Sequence, residues 1–225
     1  MDWFFLKGTL QPTPLGLMAA AYLLGSIPFG YLIVRFTAGR DVRSAGSGNI
    51  GATNVGRVAG KRAGIFTLIL DAAKGWLAVW LAMRCAQGDV TWMMGAAVMV
   101  VVGHMFPLWL IFRGGKGVAT AAGAFLPICA AAVGGGLFVF AVVVAVWRYV
   151  SLGSIVAAAF LPLMVYRLYA VQPAPWQISA GGLLISALIL VKHHENIRRL
   201  IAGTESRLGK TSEGGQRGEG SQGDG

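Results

Sequence analysis

The stretch VATAAGAFLPICAAAVGGGLFVFAVVVAVWRY, Val118 to Tyr149, decides the topology of this chain. It is apolar throughout and longer than the ~20 residues that cross a ~30 Å hydrocarbon core. It reads either as one long tilted helix or as two short helices joined near Gly134, Gly135 and Gly136, where consecutive glycines weaken a helix. Further apolar segments lie at about 16 to 37, 63 to 84, 91 to 112, 152 to 170 and 176 to 192. With one helix at 118–149 the chain has six spans, and the basic segment after residue 192 faces away from the polar segment after residue 37. With two helices it has seven, and both segments share a side.

Charge favours the second reading. Of the nineteen Lys and Arg residues, all but Lys7, Lys74, Arg84 and Arg167 then fall on one face, and the positive-inside rule makes that face cytoplasmic. The expectation is an all-α polytopic membrane protein of seven transmembrane helices, N-terminus outside and C-terminus cytoplasmic. Composition agrees: 56% of residues are hydrophobic and 12% charged, whereas a soluble domain carries about 25% charge. In such a chain the net charge of +10 is a topological signal before it is a ligand signal, and no nucleic-acid partner is expected.

Residues 1–208 are expected to form one helical bundle, with 209–225 a disordered Gly-rich tail. The opening MDWFFLKGTLQPTPLG lacks the basic head and cleavage site of a secretory signal, so the first apolar segment is expected to be a retained span. Cys85 and Cys129 match no zinc or redox spacing and read as buried thiols.

Three polar segments share the basic face. The first, GSGNIGATNVGR from Gly46 to Arg57, sets Gly46, Gly48, Gly51 and Gly56 among Ser47, Asn49, Thr53, Asn54 and Arg57. Glycines let backbone N–H groups approach a ligand closely, and the side chains between them are donors suited to an anion. Small residues also serve helix packing, but packing alone does not need this run of Ser, Asn and Thr.

The second segment, GHMFPLWLIFRGGKGVAT from Gly103 to Thr120, turns through Arg113, Gly114, Gly115, Lys116 and Gly117 directly before a helix. Glycines, a point charge and a helix N-terminus are the elements of an anion site. The P-loop pattern is absent, because Gly117 follows Lys116; anchoring of a helix end by Arg113 and Lys116 stays open. The third segment, HHENIRRLIAGTESR from His193 to Arg207, follows the last span. His193 and Asn196 share a helical face, while His194 and Glu195 point elsewhere. Adjacent histidines do not converge on one ion, so no metal is expected. Within spans, Asp71 and Lys74 read as a buried pair that fixes helix rotation, and His104 as a hydrogen-bonded packing residue.

Together these three segments closely resemble the signature segments of the bacterial acyl-phosphate:glycerol-3-phosphate acyltransferases, the PlsY family, in order and spacing over nearly the whole chain. The resemblance implies transfer of a fatty acyl group from acyl phosphate to glycerol 3-phosphate, giving lysophosphatidic acid and phosphate without a cofactor. It implies a multi-pass protein of the bacterial inner membrane with its active site on the cytoplasmic face, among membrane lipids and functionally linked to an acyl-phosphate synthase. It further implies Ser47, Asn49 and Thr53 as contacts to phosphoryl groups, with Gly48, Gly51, Gly114, Gly115 and Gly117 giving close backbone approach. Arg57 and Lys116 would supply charge, and His193 and Asn196 would hold the acceptor or the acyl carbonyl.

The residues themselves are compatible with this chemistry. Five positions after His104, His193 and His194 stand Trp109, Arg198 and Arg199, so no His-x-x-x-x-Asp pair exists, and no G-x-S-x-G elbow offers a serine nucleophile. Direct attack by the acceptor hydroxyl remains, with the protein positioning two anions. A transporter of a phosphorylated metabolite is the rival reading, since polar loops in helical bundles also build permeation sites.

Overall fold

The computed structural model describes residues 13–168 and 176–209. Of the tail expected at 209–225 only Gly209 is among them, and most of the N-terminal leader lies outside them. Among the described residues the chain is entirely helical: α1 Pro14–Ser26, α2 Phe29–Ala38, α3 Ala52–Cys85, α4 Val90–Met105, α5 Val118–Trp147, α6 Val150–Leu168, α7 Trp176–Lys192 and α8 His194–Ile201. Five stretches are long and apolar enough to cross a membrane, and α7 with α8 makes a further pair bent by 56°. The protein is a multi-pass membrane protein.

Local chemistry explains where these helices start and break. Thr13 caps α1 by accepting the Gly16 N–H at 3.2 Å, with Pro14 in the first turn where its missing donor costs nothing. Pro28 stops α1, and the chain resumes as α2 until Gly39, whose φ of 67° ends the helix in the left-handed region. Helix α3 breaks at Gly60, where φ is 88° and ψ 163°. Its first piece folds back on the rest, since a Cβ on Gly64 would stand 2.9 Å from both the Ala52 carbonyl and Gly56 Cα.

Helix α5, the segment that decides the topology, breaks at Cys129 (φ −154°, ψ 78°), two residues after Pro127. The joint expected at Gly134–Gly136 is helical instead. Proline removes a donor and crowds the preceding turn, a stronger interruption than glycine. Both ends of α5 meet the same C-terminal segment. Lys116, just before it, bonds Asn196, while the Arg148 carbonyl, just after it, accepts the Leu208 N–H at 2.7 Å. Asn196 is itself bonded to Glu205, three residues or ~10 Å of chain from Leu208. A straight helix of 30 residues would hold its ends ~45 Å apart. The halves of α5 therefore run out and back.

Glycines let the helices cross closely. A Cβ on Gly75 would overlap the Thr120 carbonyl and one on Gly123 the Ala72 carbonyl, which locks α3 to α5. Gly25 against Val100 and Gly103 against Tyr22 do the same for α1 and α4. The main core contains Val100, Val101, Met105, Phe125 and Ile185, and a smaller one of Val34, Val42, Ile50, Val55 and Leu110 lies under the first polar loop.

Candidate active site

The first loop is organised by one buried side chain, Asn54, in the first turn of α3. Its Oδ1 accepts the Ser47 N–H at 2.8 Å, and its Nδ2 donates to the carbonyls of Asn49 (2.8 Å), Ala45 (3.1 Å) and Val42 (3.2 Å). This saturates the amide and fixes the loop, with Gly46 and Gly48 at positive φ (61° and 69°) making the turns. The Asn49 carboxamide oxygen accepts the Gly51 N–H at 2.8 Å, and the Gly48 N–H donates to Ala45. Asn49, Gly48 and Gly51 thus shape the loop. The side chains of Ser47, Thr53 and Arg57 are exposed and make no hydrogen bond among the described residues. Gly51 stands at the α3 N-cap with no side-chain cap, which leaves helix N–H groups open at the loop.

In the second loop the N–H groups of Gly114 and Gly115 donate to the carbonyls of Met105 (3.2 Å) and His104 (3.1 Å). A Cβ on Gly114 would overlap the His104 carbonyl, and one on Gly115 the His104 imidazole. Both glycines are there for close packing, and their donors are already used. Gly117, with φ 80°, is the uncapped N-cap of α5, and next to it the buried Thr120 hydroxyl has no partner. Open N–H groups at that helix end favour an anion.

Lys116 joins this end to the third segment. Its Nζ donates to Asn196 Oδ1; the Asn196 amide donates to Glu205 Oε1 at 2.7 Å; and Arg199 Nε donates to Glu205 Oε2 at 2.7 Å. Burial is the main cause that lowers Lys116 to a pKa of about 8; Glu205 raises it, while Arg199 and Arg57 lower it. Burial also pushes the Glu205 carboxyl up, but the bonds from the Arg199 and Asn196 side chains help leave it below the usual range. His193, only 2% exposed, uses Nδ1–H on the Ile189 carbonyl at 2.8 Å, so Nε2 is left as an acceptor. Burial lowers its pKa to about 4, with Lys116 adding to the effect.

Lys116, His193 and Asn196 therefore stand together, and Arg57 is close enough to act on Lys116 electrostatically. Ser47, Asn49 and Thr53 lie on the adjoining loop and make no hydrogen bond to that trio. Among the described residues no group of three His, Cys, Asp or Glu side chains is arranged to hold a metal ion.

A family model described as glycerol-3-phosphate acyltransferase matches residues 15–203. The chain belongs to the glycerol-3-phosphate acyltransferase family. This acyltransferase is similar to the glycerol-3-phosphate acyltransferase of Trichlorobacter lovleyi, at 50% identity over 85% of this chain and 95% of that one. It is similar to that of Geobacter sulfurreducens at 47% identity over 85% and 96%. A solved structure of PlsY (YgiH), an integral membrane glycerol 3-phosphate acyltransferase in the glycerol 3-phosphate form, superposes with a TM-score of 0.81 at 38% identity. The match covers 88% of this chain and 96% of that one. The lysophosphatidic acid form of PlsY matches at a TM-score of 0.78 and 37% identity over the same shares.

Three residues of the candidate site escape sequence reasoning about ligands. Asn54 looks like one more donor in a polar run, but it is the loop's internal tie. Glu205 is one of two carboxylates in a basic segment, and only its bonds to Asn196 and Arg199 single it out from Glu195. Thr120 is hidden as an ordinary first-turn helix residue, and only its buried unpartnered hydroxyl distinguishes it.

Proposed function

We propose that this acyltransferase moves a fatty acyl group from acyl phosphate to glycerol 3-phosphate, releasing 1-acyl-glycerol 3-phosphate and inorganic phosphate. The observation that carries the proposal is the placement of Lys116. A half-buried ammonium, tied to Asn196 and beside His193 and the uncapped start of α5, is suited to an anion whose charge develops during reaction. The named forms of the PlsY neighbours, glycerol 3-phosphate and lysophosphatidic acid, are the acceptor and product of this reaction.

In the proposed step the acceptor hydroxyl attacks the acyl carbonyl carbon, the bond from that carbon to the bridging oxygen breaks, and inorganic phosphate departs with that oxygen and the hydroxyl proton. His193 is a poor candidate for that proton. Its pKa of about 4 lies below that of a phosphate monoester, which titrates near ~6. The leaving group is the stronger base, which supports substrate-assisted transfer. His193 Nε2 and the Asn196 amide orient the acceptor; Lys116 and Arg57 neutralise phosphoryl charge. Ser47, Thr53 and the open N–H groups of the helix turns that follow Gly51 and Gly117 bind phosphoryl oxygens, on loops held in shape by Asn49, Gly48, Gly114 and Gly115.

The same reading includes seven membrane crossings with this site on the cytoplasmic face of the inner membrane. The out-and-back course of α5 supports it. The basic residues clustered at the site end support the cytoplasmic side.

The test is a donor comparison with purified protein, measuring 1-acyl-glycerol 3-phosphate. Turnover with acyl phosphate and none with acyl-CoA or acyl-carrier thioester is the expected result; activity confined to a thioester overturns the donor assignment.

A further inference from the structure

Three groups from different spans meet on Lys74, deep in the bundle and behind the site. Its Nζ donates to the Ile27 carbonyl at 2.9 Å, stands 2.9 Å from His104 Nδ1, and pairs with Asp71 Oδ1 at 2.8 Å. Both partners of the ion pair are almost wholly buried. Two hydrogen bonds and one ion pair thus surround the ammonium. Pro28 ends α1 there, and the Ile27 carbonyl, which also accepts the Phe29 N–H at 3.2 Å, gains Lys74 as a second donor.

This cluster connects to the site through His104. With Lys74 donating to Nδ1, the imidazole is held by one edge, and its other edge lies against Gly115 with no space for a Cβ. The carbonyl of the same histidine accepts the Gly115 N–H at 3.1 Å. Ring and carbonyl therefore grip the residue that directly precedes Lys116. A cluster needed only to hold spans together has no need of that grip, and apolar packing does that work in a bilayer with less desolvation.

We propose that Lys74 is a positioning residue for Lys116: through His104 it sets the Gly114–Gly115 turn and thereby where the Lys116 ammonium meets the phosphoryl group. The inference rests on the acyl-transfer reading for what Lys116 does, but not for how it is held.

The test uses two sets of variants in the full-length protein, because removing one charge of the pair leaves the other buried alone and endangers folding. The double variant Asp71→Asn with Lys74→Met removes both charges together. His104→Leu removes the acceptor for Lys74, and His104→Asn returns one near the Nδ1 position. Thermal melting, glycerol 3-phosphate binding by calorimetry and steady-state kinetics are measured on each. The expected result is a melting temperature near that of the parent in the double variant with glycerol 3-phosphate affinity weakened about tenfold or more. His104→Asn should recover part of what His104→Leu loses. Unchanged affinity in a folded double variant overturns the proposal, as does a loss in His104→Leu that His104→Asn does not relieve at all. Calorimetry separates this result from the donor question: a parent that binds glycerol 3-phosphate but turns over no acyl phosphate defeats the reaction assigned above and leaves the positioning role to be judged on affinity.

Discussion

Lys116 sits between opposing influences, and its titration is the most direct readout of the site. Burial lowers its pKa to about 8, Glu205 raises it, and Arg199 and Arg57 lower it again. The ammonium is therefore present at neutral pH and lost as pH rises through 8, so kcat/KM is expected to fall on the basic side with a limb near that value. Replacing Glu205→Gln removes a raising influence and should move the limb to lower pH. A pH–rate profile that is identical for parent and Glu205→Gln would refute this account. Lys116→Ala should cost about two to three orders of magnitude in kcat/KM, as for other lost donors to developing charge. At this scale the meeting of Lys116, His193 and Asn196 at one end of the bundle was legible because cations, amides and imidazoles have few other uses beside an apolar span. The tie through Asn54 was not, because nothing in an asparagine's identity tells whether its amide faces a ligand or its own loop.

Helix α5 shows how far local signals reach at the scale of elements. Its length and apolar composition require an explanation in any topology, but two interruptions compete within it, Pro127 and the glycines at 134–136. The proline turn prevailed: the break is at Cys129, and the glycines remain helical. A missing donor is a local property that can be weighed from sequence, whereas the role of a helical glycine depends on what packs against it. Gly123 meets the Ala72 carbonyl, while Gly134 and Gly136 have nothing within 4 Å of an added Cβ. Gly123→Ala is accordingly expected to destabilise by about 1–3 kcal/mol, since backbone on α3 must move. Gly136→Ala should be neutral or stabilising by up to about 1 kcal/mol through helix propensity. Melting curves of the two purified variants in one detergent check this; equal shifts would mean that the α3–α5 crossing is not tight.

For the whole molecule, the side on which each loop lies is a matter of parity, and α5 controls it. If α5 crosses once, Arg148 lies across the membrane from Lys116; if its halves cross out and back, both lie with the C-terminal segment. The pins at Arg148–Leu208 and Arg207–Tyr149 (3.0 Å) favour the second arrangement, because the same segment carries Glu205 to Asn196 and Lys116. Labelling of single cysteines in intact cells distinguishes the two. With Cys85 and Cys129 replaced by alanine, a membrane-impermeant thiol reagent should react from outside with Gln87→Cys, in the turn between α3 and α4 at the far end of the bundle. It should reach Arg113→Cys, Arg148→Cys and Thr204→Cys only after the membrane is opened. Labelling of Arg148→Cys from outside while Arg113→Cys stays protected would mean a single crossing by α5 and an even number of spans. That outcome would also remove the Arg148–Leu208 contact from the functional protein, and with it the clamp that keeps Glu205 beside Lys116. The topological experiment and the pH profile of Glu205→Gln therefore test one arrangement from two sides: a C-terminal segment anchored at the α5–α6 turn is what delivers the carboxylate that sets the charge of the site.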